Sequence, residues 1–371
     1  MEKALPSTMS TAELDRFEET VHAQLNSLQH GINDRVIFFR QLPIGLGGQI
    51  IGRLDALRLA LALDRKVVFR HDNDPPYTQT FKSTFSNYCL PEELPEIPHL
   101  DLNIDQSEEL TVQYGPDMFP IRKGMALEIT IRAIGNRLDM SFTEGLLDAA
   151  LYSWLQPTNT AEAYASNSIH RFGIDRSTLG VHFRRGDKKV ESAYVPVSVY
   201  QSEIDKLLLL GKFKSVFVAS DSPDALSELK FPKEIKVIFD VDEKRYNNAN
   251  HKMLMRNPDI AEQETLTAYK NIRMLSSCGG IVGQDNAHFA KLAALSQASA
   301  HIDQKLQILI DGRISEKSST WVSIKFTAVR KLRSLAKKLF PSMTVSSHQT
   351  SILRAAGRKE KMRSIDGSKR R

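Results

Sequence analysis

The stretch Gly180-Val181-His182-Phe183-Arg184-Arg185-Gly186-Asp187-Lys188 ends a short apolar run on two arginines, an aspartate and a lysine. Glu191 and Pro196 follow closely. The run from Thr178 to Phe183 reads as a strand, and strand ends are where open α/β sheets place ligand chemistry. Two guanidiniums at such an end can fork onto a phosphate or pyrophosphate, and an ordinary surface loop is the plainer reading of the same pair. A second candidate is the turn Gly45-Leu46-Gly47-Gly48-Gln49. Its glycines either admit a phosphate to the backbone at a helix N-terminus or make a tight turn without a ligand. Gln49 and Arg53 lie one helical turn apart and are expected to face one cleft. Two acidic triplets, Asp72-Asn73-Asp74 and Asp240-Val241-Asp242, can hold a divalent ion over a phosphorylated substrate, or are simply acidic loops.

The surrounding pattern says what positions these groups. Residues 9–30 read as a helix, with Leu14, Phe17, Val21, Leu25 and Leu28 at helical spacing. Residues 35–40 read as a strand, 49–64 as a helix and 66–69 as a strand. The glycines therefore stand at a strand-to-helix turn, as in a doubly wound sheet. The Pro-, Asp- and Glu-rich stretch from 75 to 118 reads as a long excursion with little secondary structure. A helix is expected over 142–154 and an inter-domain connection over 155–170. A second alternating series follows, with strands at 178–183, 215–219, 236–239 and 280–282. Its helices are expected at 197–210, 224–229, 262–275 and 287–298. The expected fold class is α/β, with two Rossmann-like domains facing a cleft. The divisions are 1–165, 166–315, and a basic helix and tail over 316–371.

With 371 residues, 41% apolar and 25% charged, the composition is that of an ordinary globular protein. Two cysteines outside any C-x-x-C pair, Cys89 and Cys278, make neither a disulfide framework nor a structural zinc site. Residues 1–33 carry no signal-like apolar run, so a cytosolic location is expected. The net charge of +6 is unevenly spread. Residues 321–371 hold fourteen Lys/Arg against Glu360 and Asp366, a net of +12, which leaves −6 for residues 1–320. The basic pI belongs to the tail, and no aromatic-basic platform points to nucleic acid. Over 321–340, Val322, Phe326, Val329, Leu332, Leu335, Ala336 and Leu339 form one helical stripe flanked by six basic residues. That pattern suits a helix lying on an anionic membrane surface, or one docked on the body.

Taken in order, four blocks resemble the α1,6-fucosyltransferases and rhizobial nodulation fucosyltransferases, which are related to the protein O-fucosyltransferases. They are Phe39-Arg40-Gln41-Leu42 through Gln49, His182 through Lys188 with Glu191 and Pro196, Val218 through Pro223, and Asn271 through Gly283. The resemblance implies a GT-B-like fold. It also implies inverting, metal-independent transfer of fucose from GDP-fucose to a glycan or lipid-linked acceptor. It assigns the donor diphosphate to Arg184 and Arg185, places His182 and Asp187 at the donor site, and puts Asp221 near the guanosine. Glu191 becomes the general base, with Lys188 as its charge partner. His182 as a core residue and Asp221 as a turn or N-cap residue are the readings that need no ligand. The pattern departs at Asn271, where the α1,6 enzymes carry an acidic residue. It departs again at Gln284-Asp285-Asn286-Ala287-His288, which replaces a Ser-Ser segment; Asn286 or His288 is expected to supply the missing polar contacts. These departures leave room for a different GDP-sugar, or for a protein of the same fold that binds without transfer.

Overall fold

The structure, a computed structural model, describes residues 10–31, 35–40, 44–70, 80–86, 109–113, 125–185, 194–245, 251–254, 256–299, 306–312 and 314. The chain divides into two compact units, Met1–Glu316 and Lys317–Arg371. The second, with the helix expected over 321–340, lies outside the described residues.

Two parallel sheets organise the first unit, so its class is α/β. In one, β1 (Val36–Arg40) lies between β2 (Lys66–Arg70) and β3 (Glu109–Gln113), with Val36 opposite both Lys66 and Glu109. The other has five strands in the order β6-β5-β4-β7-β8. They are β4 (Thr178–His182), β5 (Ser215–Ala219), β6 (Lys236–Ile238), β7 (Gly280–Gln284) and β8 (Gln307–Ile310). The order reverses beside β4: β5 and β6 continue to one side, β7 and β8 to the other. The carboxyl ends of β4 and β7 therefore flank a topological switch point, where such sheets form their ligand crevice.

Parallel sheets are covered by helices. The larger ones are α1 (Thr11–His30), α2 (Leu46–Leu63), α3 (Met125–Leu138), α4 (Glu144–Trp154), α5 (Asn159–Phe172), α6 (Val197–Leu208), α7 (Pro258–Ser277) and α8 (His288–Ser299). A reciprocal Ser10–Glu13 capping box starts α1, which buries Phe17, Val21, Leu25 and Leu28 at the expected spacing. α2 is buried on every side from Leu46 to Leu61. Its neighbours include helices of the second half: Ala268, Tyr269 and Ile272 of α7 and Leu292 and Leu295 of α8 join the same apolar cluster as Leu54 and Leu57. α7 and α8 thus serve two cores, one with β4, β5 and β7 and one with α2.

Three segments differ from the sequence expectation. β3 and a short helix, Phe81–Thr84, lie within the stretch read as irregular. α3 was not anticipated. The presumed connection over 155–170 is α5, opened by the Thr158 hydroxyl accepting from the Ala161 amide and closed by Gly173 at φ +66°. The expected division at 165/166 falls inside that helix. No described helix is long and apolar enough to cross a membrane.

Candidate functional site

At the carboxyl end of β4 the chain passes through Phe183, Arg184 and Arg185. Alternation along an extended chain sends the two arginines opposite ways. Arg184 is 27% exposed and paired through Nη1 with an oxygen of Asp221. The other Asp221 oxygen accepts the Arg185 backbone N–H at 2.7 Å. Asp221 thus ties the end of β4 to the turn after β5 and fixes the guanidinium of Arg184. The ring hydroxyl of Tyr200 donates to the His182 carbonyl at 3.2 Å, and Ser220 Oγ donates to the Phe183 carbonyl at 2.6 Å.

Arg185 goes inward. Its Nε donates to Glu228 at 3.0 Å and its Nη1 to the Val195 carbonyl at 2.9 Å. The guanidinium lies 4.2 Å from the Phe183 ring centre and 5.0 Å from that of Tyr194. The resemblance gave both arginines to a diphosphate. In the structure the charge of Arg185 is engaged in packing the β4–α6 junction.

His182 is buried and stacked on Phe289 of α8, ring centres 5.5 Å apart. Burial first, then the charges of Arg184 and His288, pull its pKa down to about 3, so the ring is neutral at physiological pH. Its Nδ1 is enclosed and has no hydrogen-bond partner among the described residues. A neutral imidazole carries one proton, and an enclosed, unpaired N–H costs more than an enclosed lone pair. The proton therefore belongs on Nε2, and His182 offers an N–H donor rather than a cation.

The glycine turn has a packing cause. A Cβ on Gly47 would lie 2.7 Å from His288 Cβ and 3.1 Å from the Phe289 ring, and one on Gly48 2.5 Å from Ile44 Cδ1 and 3.4 Å from His288 Cε1. These glycines let the start of α2 meet the start of α8. Gly45 is the α2 N-cap and offers no side-chain hydrogen bond. Gln49 is buried, and its Nε2 closes the turn onto the Ile44 carbonyl at 2.9 Å. Arg53 does not face a cleft: it is buried, 3.6 Å above the Phe81 ring centre and 5.3 Å from that of Phe69.

No family model matches the chain. No curated protein matches its sequence. Solved structures do. A variant of Arabidopsis thaliana FUT1 in complex with GDP shares 13% identity over 80% of this chain and 79% of its own, at a TM-score of 0.44. NodZ α-1,6-fucosyltransferase soaked with GDP-fucose shares 14% over 70% and 92%, at 0.43. POFUT1 in complex with GDP-fucose shares 13% over 76% and 99%, at 0.39. These neighbours are fucosyltransferases.

The remaining expected residues are dispersed. Asp187, Lys188 and Glu191 lie outside the described residues, as do Asp72 and Asp74. Asn271 is buried, and its Nδ2 donates to both oxygens of Glu243 at 3.0 Å. Asn286 packs on Gly312, where a Cβ would meet its amide at 2.2 Å, and so it belongs to the β7–β8 edge. The second acidic triplet is divided: Asp240 pairs with Lys270 at 2.7 Å, Asp242 with Arg171 at 3.4 Å. No group of three His, Cys, Asp or Glu among the described residues is arranged to hold a metal ion.

One cluster escaped the sequence reading. Lys270 Nζ donates to Asp240 and Glu243, each at 2.7 Å, and these carboxylates hold its ammonium above the ordinary lysine range although burial pulls it down. Arg245 then pins the same loop to β5 by donating from Nε to the Ser220 carbonyl at 3.0 Å, next to Asp221. Nearby, burial and then the Glu243 charge push Glu264 up to about 8, against the pull of Lys270. The available signal was Lys270 itself, a charged residue on the apolar face of a helix.

Proposed function

We propose that the protein transfers fucose from GDP-fucose to a glycan or lipid-linked oligosaccharide, with inversion at the anomeric carbon and without a metal ion. The reading rests on the ordered motif blocks and on one observation above the others. A half-buried arginine, fixed by Asp221, stands beside a neutral histidine donor at the switch point of the five-stranded sheet. In the reaction the acceptor hydroxyl oxygen bonds to the anomeric carbon as the carbon–oxygen bond to the diphosphate breaks. The electron pair leaves with GDP, and the hydroxyl proton passes to Glu191. Negative charge grows on the leaving diphosphate, and Arg184 with the His182 Nε2–H is the donor set that can meet it. Lys188 is assigned to hold Glu191 ionised. The protein is placed in the cytosol, with residues 321–340 bringing it to an anionic membrane surface.

Transfer from GDP-fucose to an oligosaccharide panel, in chelator, tests the reading. Glu191→Gln is expected to lower transfer about 10²–10⁴-fold with GDP binding retained. Near-normal transfer by that variant removes Glu191 from the base role. A second reading, GDP-sugar binding without transfer, is favoured by Asn271, which the structure commits to Glu243. GDP binding with no transfer to any acceptor supports it.

A further inference from the structure

We propose that Arg245 is a positioning residue for the donor-binding arginine: by holding the Ser220 carbonyl it sets the aim of Asp221, and through Asp221 that of Arg184; this rests on the donor-site reading above. β5 and β6 are parallel neighbours. The turn after β5, which carries Asp221, therefore lies beside the loop after β6, which carries Asp240, Glu243 and Arg245. Arg245 joins the two. Its Nε donates to the Ser220 carbonyl at 3.0 Å, its Nη1 to the Glu243 carbonyl at 2.9 Å and its Nη2 to the Asp240 carbonyl at 2.8 Å. Its guanidinium lies 4.4 Å from the Phe239 ring centre. Two of these bonds close the loop on itself, and the third leaves it for the turn that carries Asp221. The Ser220 carbonyl belongs to the planar peptide that leads into Asp221, so fixing it leaves one backbone rotation to set where the Asp221 side chain points. From the other side, Ser220 Oγ donates to the Phe183 carbonyl at 2.6 Å and accepts the Ser222 N–H at 3.1 Å.

A buried ion cluster holds Arg245 in its turn. Asp240 and Glu243 give their carbonyls to Arg245 and their carboxylates to Lys270, each at 2.7 Å. The Lys270 side chain is 3% exposed, and Asn271 Nδ2 adds a second donor from α7 to Glu243. Two cations thus divide the same two residues between them, and the loop is clamped to α7 by one and to the Asp221 turn by the other. Such a fully bonded network is stiff. A line of hydrogen bonds runs from α7 through the loop to Ser220, and Asp221 passes it on to Arg184 and to the Arg185 backbone N–H.

The test is a double-mutant cycle on the full-length protein, read by GDP titration of the wild type, Arg184→Ala, Arg245→Ala and the protein carrying both changes. A residue that acts through Arg184 matters only while Arg184 is present. GDP affinity is expected to be about five- to tenfold weaker in Arg245→Ala than in the wild type, and to fall less than about twofold when the same change is made in Arg184→Ala. Arg245→Lys keeps the cation but not the fork that reaches three carbonyls, so it is expected to recover part of the loss. If the alanine variant does not fold, Arg245→Lys is carried through the same cycle, with a loss of about two- to fivefold expected only where Arg184 is present. Wild-type GDP affinity in the Arg245 variant, or an equal loss with and without Arg184, overturns the positioning role and leaves Arg184 at the donor. A wild type that does not bind GDP, or an Arg184→Ala protein that binds it equally well, overturns the donor-site reading and this role with it.

Discussion

The ends of β1 and β4 begin alike and finish differently. Each strand precedes a helix in the chain, with arginines close by. After β1 the charges are taken inside: Arg53 lies over Phe81, and Arg58 is buried against Asp148, with Asp55 at 3.7 Å and Glu144 at 3.5 Å. After β4 one arginine is taken inside and the other is held at the carboxyl end of the strand by a carboxylate from the turn after β5. The same strand-then-helix order thus places its cations in packing in one half and leaves one of them part-exposed in the other. Exposure and partner, rather than residue type, separate the buried arginines from the one left part-exposed.

The largest expected effect lies on the packing side. Asp148→Ala leaves Arg58 buried without its main counter-charge, and unfolding stability is expected to fall by about 3–5 kcal/mol. Replacing both residues, as Arg58→Met with Asp148→Leu, should recover most of that loss. Equal stability of the single and double variants in denaturant melts would break the comparison at its first half. Arg185→Ala is expected to cost about 2–3 kcal/mol of stability through the lost ring contacts and the unpaired Val195 carbonyl. Its GDP affinity should change much less than its stability. A selective GDP defect with normal stability would return Arg185 to the ligand. Gly47→Ala should cost about 1–3 kcal/mol because the α2–α8 approach has no space for a methyl.

Much of this contrast was legible before the structure, but not its decisive part. The runs Thr178–Phe183 and Ser215–Ala219 read as strands because strands buried on both faces appear as short apolar blocks. α1 was plain from its fourfold spacing. α5 was missed because only Ala161 and Ala165 are buried on it, and two small residues give little periodic signal. β3 was hidden in a stretch whose composition suggested a loop. The division of labour between Arg184 and Arg185 was not legible because their partners, Asp221 and Glu228, are distant in sequence. Glycines 47 and 48 read equally as a phosphate turn or a tight turn without a ligand, and the position of His288 reveals their packing role.

Stability is also expected to depend on pH, with opposite signs for His182 and Glu264. His182 is depressed to about 3 against an ordinary value of 6.5. The unfolded chain binds more protons between those values, so this stabilising contribution is present above pH 6.5 and is lost as pH falls toward 3. Glu264 is raised to about 8 against 4.5, so its contribution is present below pH 4.5 and is lost as pH rises through 8. His182→Gln should flatten the acid limb of stability against pH, and Glu264→Gln the limb between 6.5 and 8. Unchanged limbs in melts across pH 4–9 would contradict these two environments.

On the proposed function, Arg184, held by Asp221, meets the nucleoside diphosphate while Arg185 stays in the packing. Calorimetric titration with GDP in the presence of chelator, on the wild type and Arg184→Ala, tests it most directly. The wild type is expected to bind GDP and not UDP, and Arg184→Ala to weaken GDP about 10–100-fold, the size of one or two charge-assisted hydrogen bonds. A wild type that fails to bind GDP, or an Arg184→Ala protein that binds it equally well, would contradict the account.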